Sequence, residues 1–70
     1  MSVARVIELS STSTRSFEDA IQQGLDRANK TLRNVKSAWV KEQGAKVKDG
    51  KITAYKVTLK VTFVLDGQAA

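Results

Sequence analysis

The stretch Lys48-Asp49-Gly50-Lys51 decides the fold. Asp-Gly is the strongest short signal of a two-residue hairpin turn, because a type I′ turn needs a positive φ at both central positions. Residues 35–48 and 51–65, on either side, are predicted to be two long strands. From Tyr55 to Phe63 apolar and polar residues alternate strictly, which is typical of a strand with one buried face.

The turn also predicts the register of this hairpin, because each residue pairs with the one equally distant from the turn. Val40 is then opposite Leu59 on the buried face. Trp39 lies on the other face, with polar neighbours on the partner strand and its own. The change of apolar parity near Gly44 predicts a bulge or a close backbone approach there. The expected pairs on the Trp39 face are Trp39 with Lys60, Ser37 with Thr62, Gln43 with Lys56, Ala45 with Ala54 and Val47 with Ile52.

The first half of the chain predicts one strand and one helix. Residues 3–9 are rich in β-branched residues and are expected to form a strand that ends in a Ser/Thr loop at residues 10–14. Ser16, followed three residues later by Asp19, is typical of a helix N-cap. Apolar residues at helical spacing predict a helix over residues 17–32, with Asn34 as a left-handed C-cap.

This helix has a single apolar stripe and therefore covers only one face of the sheet. The opposite face carries Trp39, the only tryptophan of the chain. An exposed tryptophan on a sheet face favours a cover, which is a second copy of the chain, a ligand or both. A planar anionic ligand could stack on the ring, and the same ring could equally anchor a subunit interface.

Composition limits the possible functions. The chain has 70 residues, a net charge of +5, no Cys and no His. We expect a single domain over residues 1–70 that is not an enzyme, since the commonest general base and the thiolate nucleophile are absent. No membrane span or signal peptide is predicted, so a cytoplasmic location is expected. The lysines of the second half favour a solvated strand face over nucleic-acid binding.

The chain resembles the dodecin family over nearly its whole length. The resemblance rests on the order and spacing of several segments, which are Arg5–Glu8, Ser13, Ala20–Ala28, Thr31-Leu32, Val40 with Glu42-Gln43, Tyr55–Phe63 and Phe63–Asp66. It implies an α+β fold of β-α-β-β order, with a three-stranded antiparallel sheet wrapped around one helix. It also implies a hollow homododecamer that stores or sequesters flavin, riboflavin or flavin mononucleotide (FMN), without turning it over.

The candidate flavin site departs from the family at two positions. Ser37 stands where flavin-binding dodecins carry the stacking tryptophan, and Lys56 stands where they carry a flavin-contacting glutamine. Trp39, two residues further along, keeps the same face. The expected flavin-binding residues are Trp39, Ser37, Gln43, Lys56 and Lys60. The alternative is a dodecin-like shell that has lost flavin and binds another small anion, calcium or nothing.

Overall fold

The structure is a computed structural model that describes residues 3–65. The elements are β1 (Ala4–Ser13), α1 (Phe17–Thr31), β2 (Val35–Lys48) and β3 (Lys51–Val64). They form one antiparallel sheet of order β1-β3-β2, so the last strand is central and both other strands are edges. The predicted β-α-β-β fold is confirmed.

The helix begins where the sequence predicts. The Ser16 hydroxyl accepts a hydrogen bond from the Asp19 backbone N–H at 2.9 Å, which satisfies one of the free donors of the first turn. The helix ends at Thr31, one residue earlier than predicted, and the Leu32 N–H bonds the Ala28 carbonyl at 2.8 Å. Asn34 has a φ of 60°, but it lies beyond the C-cap residue Leu32 and leads the chain into β2.

The predicted Ser/Thr loop is mostly wrong. β1 continues through Ser13, and residues 10–13 pair with residues 58–55 of β3. Long β3 offers free hydrogen-bonding groups to these residues, and a paired ladder outweighs the weak turn preference of short hydroxyl side chains. Only residues 14–16 connect β1 to α1.

The hairpin turn is confirmed, with φ of 52° at Asp49 and 77° at Gly50. Its predicted register holds next to the turn and again from Val40 to Ser37. Between these parts it is wrong by one residue, because irregularities lie between Lys46 and Val47 and between Val40 and Glu42 rather than at Gly44. The actual pairs there are Gln43 with Val57, Gly44 with Lys56, Ala45 with Tyr55 and Lys46 with Ala54.

The core lies between α1 and the sheet. Its buried centre consists of Val57, Leu59 and Val61 of β3 together with Ala20 of α1. Gly24 lets the helix approach the sheet closely, because a Cβ there would lie 3.0 Å from Cδ1 of Leu59. The helix packs mainly over β1 and β3 and contacts β2 little, so the helix-side face of β2 is only partly covered.

Candidate functional site

The outer face of the sheet is the face turned away from α1, and Trp39 lies on it. Trp39 is 50% exposed and lies on an edge strand. Its ladder partner on β3 is Lys60, and Glu8 of β1 pairs with Lys60 from the other side. One row across the sheet therefore holds a carboxylate, an ammonium and an indole.

Two lysines share the carboxylate of Glu8. Lys41 Nζ lies 3.1 Å from Glu8 Oε2, and Lys60 Nζ lies 3.9 Å from the same oxygen. All three side chains are substantially exposed to solvent, so these ion pairs are weak and can yield to another anion. The surroundings of Trp39 thus hold more positive than negative charge.

The rows on either side of Trp39 are polar. Ser37 pairs with Thr62, which places two hydroxyl-bearing residues on the next row of the outer face. Towards the hairpin turn the next outer-face row pairs Glu42 with Thr58, and the row after it pairs Gly44 with Lys56. A shallow depression of about 430 Å³ lies over these two rows. Lys56 is four residues from Lys60 along β3, a separation of about 13 Å.

The structure brings together four of the five predicted site residues. Four of them occupy outer-face positions of β2 and β3, namely Trp39, Ser37, Lys60 and Lys56. The predicted pairing of Gln43 with Lys56 is wrong, because the irregularity after Val40 places Gln43 opposite Val57, a core residue. Gln43 still borders the depression near Lys56.

Sequence reasoning missed Glu8 and Lys41 as neighbours of Trp39. Alternation along β1 could have placed Glu8 on the outer face, because Ile7 and Leu9 beside it are apolar. Nothing in the local sequence indicates the irregularity at Lys41 that lets this side chain reach Glu8.

A second polar cluster joins the end of β1 to the start of α1. The buried Ser13 hydroxyl donates a hydrogen bond of 2.6 Å to Asp19 Oδ2, and Gln23 also donates to this oxygen. These hydrogen bonds, chiefly that from Ser13, lower the pKa of Asp19. The cluster fixes the β1–α1 connection.

Within residues 3–65, no group of three or more acidic, histidine or cysteine side chains is placed to hold a metal ion. No helix in this range is long and apolar enough to cross a membrane.

Comparison with known proteins identifies the family. The family model described as Dodecin matches residues 3–66. The chain belongs to the dodecin family. The curated dodecin of Thermus thermophilus is 39% identical over 64 residues, which cover 91% of this chain and 93% of that protein.

Solved dodecin structures share the whole fold. A tryptophan-to-phenylalanine mutant of the T. thermophilus dodecin matches with a TM-score of 0.89 at 38% identity, covering 94% of this chain and 98% of the other. Dodecin from Streptomyces davaonensis matches with a TM-score of 0.87 at 37% identity, covering 93% and 96%. The calcium dodecin of Mycobacterium tuberculosis, a calcium-chelating antigen with a novel calcium-binding site, matches with a TM-score of 0.80 at 33% identity, covering 99% of both chains.

Proposed function

We propose that this protein is a non-enzymatic flavin-binding protein that assembles from copies of itself and stores riboflavin or FMN by stacking it on Trp39. The observation that carries the proposal is the half-exposed indole on a polar sheet face. An indole face offers a large planar surface for an isoalloxazine ring, and offset stacking of such rings is favourable.

The residues around Trp39 fit the polar groups of a flavin. Lys60 and Ser37 flank the ring, and both can donate hydrogen bonds to ring carbonyl oxygens. Lys56 is exposed and about 13 Å from Lys60 along β3, which is within reach of a flavin side chain or its phosphate. In this proposal the side chains around Trp39 hold the flavin and screen it from solvent. They do not react with it.

One copy of the chain cannot enclose such a ligand. Trp39 lies on an edge strand of an open face, whereas small-molecule sites normally bury most of the ligand surface. A second copy laid over the first would supply the other wall. Self-assembly is therefore part of the proposal, and the dodecameric shell of the family is the form we expect, in the cytoplasm.

Calcium is the less favoured ligand for these residues. On the outer face Glu8 is shared between Lys41 and Lys60, and Glu42, opposite Thr58, adds a second carboxylate beside Lys56. Calcium prefers six to eight oxygen ligands that include carboxylates. Such a set is absent from the described residues of a single chain.

Titration of FMN and riboflavin with the purified protein tests the proposal through flavin fluorescence. Stacking on Trp39 should quench the emission saturably, near one flavin per chain. Trp39→Ala should abolish the quenching, whereas Val3→Ala, which trims a half-exposed apolar residue elsewhere, should not. Absence of quenching at micromolar protein would refute flavin binding, and a calcium titration by calorimetry would then test the alternative.

A further inference from the structure

An apolar groove runs between α1 and β2 on the helix side of the sheet. It has a volume of about 320 Å³, with Ile21 and Leu25 on the helix wall, Ala38 and Val40 on the strand wall and Leu59 at its floor. Val40 is 37% exposed. The groove exists because α1 sits mainly over β1 and β3 and leaves β2 only partly covered on this side.

The second unpartnered apolar feature is the tip of the β2–β3 hairpin, defined here as residues 46–53. The last ladder pair of β1 is Ser13 with Tyr55, so the tip continues beyond the third strand as a two-stranded ribbon. Val47 and Ile52 face each other across it and are 62% and 52% exposed. A two-stranded ribbon has little stability of its own in water, and an exposed apolar pair on it favours packing against another surface.

The tip cannot reach the groove of its own chain. Val47 lies nine positions beyond Ala38 along β2, a distance of about 30 Å in extended strand. The molecule is accordingly elongated, with extents of 53 × 19 × 13 Å. A contact between the two features must therefore join different copies.

Charges of both signs lie at or near each of the two features. Lys46, Lys48 and Lys51 surround Asp49 at the tip, and all four side chains are exposed. Glu18 lies seven residues before Leu25 and so on the same side of α1, while Lys36 borders the groove on β2. Tip lysines can face Glu18, and Asp49 can face Lys36.

We propose that the hairpin tip of one copy inserts Val47 and Ile52 into the α1–β2 groove of a second copy. This inference rests on the self-assembly included in the proposed function and names the two surfaces that carry it. The contact is heterologous, because the two copies contribute different surfaces, and such contacts build closed rings when the rotation between copies closes.

Cysteine crosslinking tests this contact directly, since the chain has no cysteine of its own. A chain carrying Ile52→Cys is mixed with a chain carrying Val40→Cys under mild oxidation. Val3→Cys mixed with Val40→Cys is the control, because Val3 is equally exposed but outside both surfaces. We expect roughly tenfold more disulfide-linked heterodimer from the tip–groove pair, because a disulfide needs Cα atoms within about 7 Å.

Sedimentation of charged variants is the second test. Ile52→Glu and Val40→Glu should each form smaller species than the unmodified protein. Their mixture should form a larger species with equal amounts of both chains, since each variant keeps the surface that the other lacks. Circular dichroism verifies that both variants are folded.

The outcomes separate this inference from the proposed function. If the unmodified protein assembles but the tip–groove pair crosslinks no more than the control, the tip–groove contact is refuted and self-assembly stands. If the unmodified protein sediments as a monomer, self-assembly and this contact are both refuted. Flavin titration of the unmodified protein tests stacking on Trp39, and its result is not used to judge the tip–groove contact.

Discussion

Replacing Gly24 with alanine is expected to destabilise the fold although alanine is the better helix former. The added Cβ would lie 3.0 Å from Cδ1 of Leu59, 3.2 Å from Cδ1 of Leu9 and 3.3 Å from Cβ of Ser11. Ordinary contacts between carbon atoms are about 3.5–4.0 Å. The helix, or the two leucine side chains and Ser11, must therefore shift by a few tenths of an ångström.

Two opposing effects set the magnitude. Removing glycine from a helix interior gains about 1 kcal/mol, whereas overpacking a core costs about 1–3 kcal/mol. Because the added Cβ is too close to three atoms on two strands, we expect overpacking to outweigh the gain in helix propensity. The free energy of unfolding should then fall by about 1 kcal/mol. With a urea m-value of about 1 kcal/mol/M for so small a chain, the midpoint should fall by about 1 M.

Urea denaturation followed by circular dichroism measures this shift, at one fixed chain concentration because assembly contributes to apparent stability. Gly44→Ala is the matched control. Gly44 lies within β2, has ordinary φ, and has nothing within 4 Å of an added Cβ, so this change should be neutral or stabilise by about 0.5 kcal/mol. A Gly24→Ala protein more stable than the unmodified one would refute the close seating of α1 on the sheet.

Three further changes test other parts of the fold by the same denaturation assay. Leu59→Ala should cost about 2–5 kcal/mol, because Leu59 is fully buried in the central strand; a loss below 1 kcal/mol would contradict that burial. Ser16→Ala should cost about 1 kcal/mol through loss of the N-cap, and Ser16→Asp should restore most of it. The pKa of Asp19 is lower in the folded protein than its ordinary value of 3.8, so the ionised carboxylate stabilises the fold at pH values above 3.8. This stabilisation is lost as the pH falls through the pKa of Asp19 in the folded protein. Asp19→Asn should therefore lose less stability between pH 5 and pH 3 than the unmodified protein, and equal losses would contradict the role of the Ser13 hydrogen bond.

The parts of the fold that could be predicted are those set by local chemistry. Asp49-Gly50 supplies two positive φ values that few other residue pairs tolerate, so the turn and the pairs beside it were correct. Ser16 and Asp19 define the start of α1 through one short hydrogen bond. Strict alternation along β3 identified the buried face, and Val57, Leu59 and Val61 are its centre.

The parts that could not be predicted depend on partners distant in sequence. The local sequence of residues 10–13 is typical of a loop, and these residues form a strand only because β3 is long enough to pair with them. The irregularity next to Lys41 has no local signal, yet it moves Gln43 opposite Val57 and brings Lys41 to Glu8. The predicted position of Trp39 is correct because the irregularity next to Lys41 offsets the one between Lys46 and Val47, so the register from Val40 to Ser37 again follows the turn.

The central claim, that a planar flavin stacks on Trp39, is tested most directly by the emission of this residue itself. The chain has one tryptophan, so selective excitation of indole reports on this position alone. Titration with FMN should quench the tryptophan emission saturably, with the same stoichiometry as the quenching of flavin fluorescence. Tryptophan emission that stays unchanged while flavin is bound would place the ligand elsewhere and contradict the claim.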